Sequence, residues 1–433
     1  MPGASFPVPF LEEGTVRFRP VAALVCAAML AAGVSACGGS SGSSGGGGGN
    51  TVDFYSSLPL QGASKDQTAA MVKGMKLALS QAGGKAGQFT VKYTSLDDST
   101  AATGNWDPGQ TAKVARQAAQ DPKAVYYMGE FNSGASAISI PILNQAGMPQ
   151  VSPANTAVGL TTNEPGATPG EPQKYYPTGK RTYLRIVPRD TIQSEAVLTA
   201  MKQDGCKKVG EANDKEVYGA GIANLLKIQS SKVGVPVVSN TPIDKTAPNY
   251  RSYAQQLKSQ GVDCFFFGGV TANGAIQLYK DVAAALPNAK LYGPDGVCES
   301  GFTNPAKKGV PTSVGKRFKC TVATLDLSSY PGGKQFLSAY KQKYGDSHPD
   351  PYAIYGYEDM KLGLDTVKSL GSKGNDKSQV LTALFNTKNR HSVLGTYSFD
   401  KNGDTTLTTY GLYKVGSDGD PTFVKAIKYR SGQ

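Results

Sequence analysis

The chain has 433 residues, 39% of them hydrophobic and 18% charged, and a formal net charge of +12. That length supports two or three domains. The one extended apolar run lies near the N-terminus, so the rest reads as a globular body rather than a membrane bundle. The basic excess comes from lysines scattered singly ("KVARQ", "QQLKSQ", "LYKDV") with no dense run, which argues for a solvated surface and against nucleic acid as a partner.

The N-terminal segment "RFRPVAALVCAAMLAAGVSA" places Arg17 and Arg19 before a short apolar stretch that ends in small residues. These are the n-region, h-region and cleavage site of a secretory signal. The apolar run, 21–36, is short for a membrane span of about 20 residues. Cys37 directly after "VSA" resembles the bacterial lipobox, in which the thiol is diacylated and becomes the mature N-terminus. The tract that follows, "GGSSGSSGGGGGN", is a flexible coil suited to tethering a folded body near a membrane, and two acyl chains meet the requirement for stable anchoring. Residues 1–36 are thus expected to be a lipoprotein signal peptide and 37–50 a tether. Glu12 and Glu13 fit a signal peptide poorly, and translation starting at Val16 accounts for them.

Beyond the tether, short β-rich runs alternate with helical patterns. "TVDFYSSL", "FTVKYTSLD", "AVYYMGE" and "PQVSPA" read as strands; "DQTAAMVKGMKLALSQA", "DPGQTAKVARQAAQ" and "SGASAISIPILNQAG" read as helices between them. A Pro/Gly-rich insert, 163–180, reads as an irregular surface loop. After "RTYLRIVPRD" the alternation restarts, with strands at "KKVGEAN", "VPVVSN", "DCFFFGG" and "AKLYGP" and helices around 218–231, 250–260 and 274–285. Late helices at "GGKQFLSAYKQKYG" and "DPYAIYGYEDMKLGLDTVKSL" precede an expected hairpin, "VLGTYSFDKNGDTTLTTYGLYKV", turning at Asn402-Gly403. Two successive βα series imply an α/β fold of two doubly wound parallel-sheet lobes.

Catalytic motifs are missing. There is no HExxH, the GxSxG matches fall inside the tether, and "GVPTSVGKR" has the wrong spacing for a phosphate-binding loop. No GxGxxG opens a helix after the first strand. The body holds four cysteines, Cys206, Cys264, Cys298 and Cys320, an even number in an exported chain, which points to disulfides with three possible connectivities. None has CxxC spacing, and His348 and His391 stand apart from them, so no metal site and no cofactor are expected. Open α/β sheets bind ligands at the carboxyl ends of their strands. There, "YMGEFNSGAS" runs from a strand straight into a helix, so that Asn132 and Ser133 stand at a helix N-terminus suited to an anion, unless one of them serves only as that helix's cap. The next strand ends in "VSPANTAVGLT", which adds Ser152, Asn155 and Thr156.

Taken together, "SLPLQG", "GEFNSGAS", "PQVSPANTAVGLT", "YLRIVPRDTIQS", "NDKEVYGAG", "LKSQGVDCFFFGG", "LYGPDG" and "YAIYGYEDM" resemble, in order and spacing, the periplasmic leucine/isoleucine/valine-binding protein family, the type I solute-binding receptors of ABC importers. The resemblance covers roughly residues 51–425. It implies the type I periplasmic binding protein fold, with 51–188 and 327–393 forming lobe 1, 189–326 and 394–433 forming lobe 2, and a hinge of three crossings near 187–189, near 325–328 and near the C-terminal hairpin. By position, Ser133 and Thr156, with the backbone near Asn155, resemble the family's grip on a ligand α-carboxylate. Tyr218 resembles the second-lobe tyrosine facing the cleft, and Asp295 the acid that pairs with the ligand's ammonium. In the family's 2-1-3-4-5 strand order Cys206 and Cys264 stand at the amino ends of neighbouring strands, which favours that bridge, with Cys298–Cys320 as the other.

Two features depart from the family pattern. Val270-Thr271 replaces an aromatic after "FFFGG", and Glu130 adds an acid beside the carboxylate site, where it either favours a ligand with a second cationic group or points into solvent. Both weigh against branched-chain specificity and leave the binding-protein class intact. The expected function is a monomeric, lipid-anchored, extracytoplasmic solute-binding protein that captures an amino acid or related compound and delivers it to an ABC permease, without catalysis. The same fold coupled to a membrane signalling partner as a ligand sensor is the alternative.

Overall fold

A computed structural model describes residues 50–428; the candidate signal peptide, Cys37 and nearly all of the tether lie outside them. The first βα series forms a sheet whose principal strands are β1 (Thr51–Leu58), β2 (Phe89–Asp97), β3 (Ala124–Gly129), β4 (Gln150–Ser152) and β5 (Tyr183–Arg185), in the order 2-1-3-4-5. Strand β1 runs parallel to β2 without a break from Thr51↔Thr90 to Leu58↔Asp97 and is flanked by β3 on its other side. It is covered on both faces by helices, which is why its sequence is nearly continuously buried rather than alternating. The helices between the strands are α1 (Lys65–Gln81), α2 (Pro108–Gln120) and α3 (Ser133–Gln145). Asp107 caps α2 by accepting from the Gln110 N–H, with Pro108 in the first turn where a missing N–H costs nothing. The insert 163–180 is irregular, but it is more than a surface loop. Tyr175 and Tyr176 are buried in a cluster with Ile140, Leu160 and Tyr183.

The second series runs through α4 (Asp190–Gln203), β6 (Val209–Asn213), α5 (Val217–Val233), β7 (Val237–Pro242), α6 (Arg251–Ser259), β8 (Cys264–Gly268), α7 (Ile276–Ala285), β9 (Lys290–Gly293) and β10 (Phe318–Val322). Its parallel strands repeat the connectivity of the first sheet, in the order β7-β6-β8-β9-β10. Cys264 therefore pairs in register with Val209 on the neighbouring strand, close to Cys206. The Cys206–Cys264 bridge has a Cα–Cα distance of 5.8 Å, and Cys298–Cys320, between the loop after β9 and β10, has 5.6 Å. Both pairs are those expected from the strand order.

After β10 the chain returns to the first sheet with α8 (Gly333–Tyr344) and α9 (Ala353–Ser369), which pack along α1. The two long helices touch backbone to backbone. A Cβ on Gly74 would lie 2.0 Å from the Ala353 carbonyl, and one on Gly356 would lie 2.2 Å from that of Met71. Only glycine permits that approach. Helix α10 (Lys377–Phe385) follows, and then the chain departs from expectation. The segment read as one hairpin is two separate pieces: β12 (Gly395–Tyr397) pairs with the preceding β11 (Arg390–Ser392), whereas β13 (Thr409–Val415) crosses to the second sheet. There it lies antiparallel between β10 and β14 (Pro421–Lys428). Asn402-Gly403 does form a turn, with the Gly403 N–H on the Asp400 carbonyl at 3.1 Å, but a single bridge, Phe399↔Thr405, joins its arms. The arms diverge because Asp404 is drawn elsewhere.

Asp404 accepts from Arg185 Nε at 2.6 Å and from Arg189 Nη1 at 2.8 Å, and Arg185 has no exposure. Such contacts tie the first and third chain crossings together and fasten the second to α9. Besides the Asp404 pairs, the Tyr410 hydroxyl donates to the Pro188 carbonyl at 2.7 Å, and the Tyr355 hydroxyl to that of Ala323 at 2.6 Å. A buried guanidinium needs an anion and a full set of acceptors, and this requirement outweighs hairpin pairing.

Candidate functional site

The carboxyl ends of both sheets face each other across a small cavity of about 20 Å³, lined from the first lobe by Ser64, Gln67, Phe131, Asn132, Ser133, Ala154 and Thr156 and from the second by Tyr218, Val270, Asp295 and Gly296. That is room for one or two waters, so a larger ligand enters with the lobes apart. Asn132 is the residue before α3, yet its side chain makes no capping bond, and its Oδ1 is buried without a partner. The first N–H groups of α3 thus remain available at the cavity, as an anion site requires. Ser133 Oγ accepts only a long contact, 3.4 Å, from the Ala157 N–H. On the opposite wall, Asp295 Oδ1 accepts from the Tyr218 hydroxyl at 2.5 Å and Oδ2 from the Tyr352 hydroxyl at 3.3 Å. Burial raises the Asp295 carboxyl above its ordinary range, against those hydrogen bonds.

Of the residues expected at the site, Asn132, Ser133, Thr156, Tyr218 and Asp295 line this cavity, and Glu130 and Asn155 do not. Asn155 is a brace. Its Nδ2 donates to the Phe131 carbonyl at 2.8 Å, and its Oδ1 accepts from Ser136 and Tyr183. Glu130 points neither to solvent nor to the cavity. It is wholly buried beneath the loop, its Oε1 accepting from the Tyr127 hydroxyl at 2.7 Å and its carbonyl accepting from Ser152 Oγ at 2.8 Å. Asp98, equally buried, lies beside it, and both carboxyls are raised by burial, with their proximity raising Asp98 further. The groups around Glu130 are the Ser57, Tyr127 and Ser139 hydroxyls and Asp98.

A carboxyl raised in the fold contributes stability that is present below its unfolded value, about 4.3, and is lost as pH rises through the folded value. Glu130→Gln keeps an acceptor for Tyr127 and offers Asp98 a donor. The melting temperature of the variant should exceed that of the parent at pH 8, and the gap should close toward pH 5. A fall of equal size at both pH values would count against the buried pair.

Sequence reading did not assign Asp190, the first residue of α4. Its carboxyl has no exposure, lies beside the Thr156 hydroxyl and within reach of the Asp295 charge, and neither oxygen has a hydrogen-bond partner. Burial and Asp295 together raise it well above the carboxylate range. In sequence it reads as an ordinary acidic helix start, and the neighbour that makes it unusual is 105 positions away.

Two α/β lobes joined by three crossings, with a polar cavity between their strand ends, are the architecture of a type I solute receptor. The chain belongs to the periplasmic binding protein family, whose model matches residues 56–420. A Leu/Ile/Val-binding protein homolog 1 from Brucella abortus is 24% identical over 380 residues, covering 85% of this chain and 92% of the relative. A leucine-binding protein from Thermotoga maritima shares the fold with a TM-score of 0.72 at 20% identity, over 87% of this chain and 99% of that one. A solute-binding protein of an ABC transporter from R. palustris, solved with benzoate, has a TM-score of 0.69 at 19% identity over 87% and 96%. Family membership places the chain among periplasmic solute-binding proteins rather than enzymes. Among the described residues no helix is long and apolar enough to cross a membrane.

Proposed function

We propose that this protein is the lipid-anchored solute-binding component of an ABC importer, and that it captures an amino acid or a close relative of one between its lobes. The observation that carries this reading is the convergence of opposite chemistries on one cavity. Ser133, Thr156 and the N-terminus of α3 offer neutral donors on one wall, and the Asp295 carboxyl stands on the other, with the Asp190 carboxyl buried beside Thr156 and within reach of the Asp295 charge. Donors of that kind suit a carboxylate, and desolvated carboxyls suit an ammonium. The second lobe closes over a ligand held by the first, with movement at the three crossings.

Benzoate in a structural neighbour makes aromatic acids the natural comparison, but an acid without an amino group would leave Asp295, which lines the cavity, without a cationic partner. A thermal-shift screen of amino acids, amides and small organic acids tests the reading. At a ligand concentration of one hundred times Kd the fold gains about 2.7 kcal/mol, and silence across the whole screen would remove the binding role. For the anchor, Cys37→Ala should move the protein from the membrane fraction to the soluble one, and retention of the variant in membranes would count against lipidation.

A further inference from the structure

The second lobe carries another buried carboxyl, next to Ser64 of the cavity lining. Glu299 is 2% exposed, and neither of its oxygens closes a well-formed hydrogen bond, although the Ser64 and Thr271 hydroxyls lie beside it. Burial, with Asp350 and Asp66 nearby, lifts it to about 7. Asp350, on the loop before α9, is held by the Tyr352 N–H at 2.9 Å and lies beside the Gln67 side chain. Two lysines are close by: Lys307 is paired with Asp66 at 2.6 Å, and Lys73 lies over the Tyr344 ring, 5.7 Å from its centroid. Arg185, which faces Asp190, is fully engaged by Asp404, Thr161 and the Asn155 and Ala157 carbonyls.

The geometry continues outward from the cavity. Gln67 lines both the cavity and a groove of about 830 Å³ that also takes in Cys298, Ser300, Asp350 and Tyr352. Tyr352 joins the two regions, since its hydroxyl reaches Asp295 and its ring meets that of Phe131 edge-on at 5.7 Å. Beyond the Asp190–Asp295 pair, then, Gln67 and Tyr352 connect the cavity to a groove that Asp350 lines, with Glu299 buried beside Ser64 of the cavity wall; no cationic side chain lines the cavity, and Lys73 and Lys307 line the groove. An unpaired buried carboxylate is costly, and an opposite charge relieves it.

We propose that the ligand carries a second cationic group, placed between Glu299 and Asp350, and is a dibasic amino acid. This rests on the amino-acid reading above and adds the class of side chain. The test is calorimetry with L-arginine, L-ornithine, L-leucine and benzoate as the probes. One of the two dibasic compounds should bind at least tenfold tighter than L-leucine and benzoate. Glu299→Gln and Asp350→Asn should each lower the preference for the dibasic compound over L-leucine at least tenfold, a ratio that a loss of folding alone would not move. L-leucine or benzoate binding as tightly as the dibasic compounds would overturn the proposal. So would silence from both dibasic compounds, whereas the broader solute-binding reading falls only if the wider screen is silent too.

Discussion

Asp404→Ala is expected to cost about 3–5 kcal/mol of stability, the range for removing one partner of a buried ion pair. The loss falls on Arg185, which has no exposure and would keep its charge without an anion. Arg189 would keep its bond to Glu164 at 3.0 Å and is affected less. Urea unfolding measures the effect, and Asp404→Asn, which preserves the shape and one acceptor, should cost less than alanine. Burial works against the Asp404 charge, but the two guanidiniums prevail and hold the carboxyl below its ordinary range. Its contribution is therefore complete above the unfolded value, about 3.9, and is lost as pH falls through the folded one. A cost below about 1 kcal/mol would mean that the crossings are held by backbone and packing alone.

Asp295→Ala should weaken binding of an amino-acid ligand by about 3–5 kcal/mol, because it strands a buried ammonium. Ser133→Ala should cost less, since the N–H groups of α3 and the Thr156 hydroxyl share its task. The Asp295 variant should also lose its preference for an amino acid over the matching acid that lacks the amino group. Calorimetry on both variants decides the matter. If Asp295→Ala binds as wild type does, the carboxyl only anchors the Tyr218 and Tyr352 hydroxyls, and recognition of a zwitterion fails while the fold assignment stands.

Much of the architecture was legible in the linear pattern because it depends on local periodicity. Strands buried on both faces read as apolar runs, helices between them repeat at 3.6 residues, and Asp107-Pro108 marks the start of α2 from its own chemistry. The family resemblance supplied the 2-1-3-4-5 strand order, and with it the neighbouring strands that bring Cys206 to Cys264. The rule that loops at the carboxyl ends of parallel strands share an edge of the sheet placed Ser133 and Thr156 at one mouth, and the family resemblance added Tyr218 and Asp295.

Long-range electrostatics escaped that reading. The turn at Asn402-Gly403 carries a strong hairpin signal, yet the arms part because Asp404 answers a guanidinium 219 positions earlier. Glu130 is one residue from the cavity lining in sequence, and its side chain is buried on the other side of the loop with Asp98 and Tyr127. Asp190 and Glu299 look like ordinary polar residues until burial takes away their water and packing places further carboxyls beside them. A side chain's periodicity is a property of its immediate neighbours in the chain, whereas the cost of its charge is set by whatever the fold brings within a few ångströms. For this protein the pattern of residues therefore specifies two lobes and the mouth between them, and folding alone establishes which carboxyls stand uncompensated there.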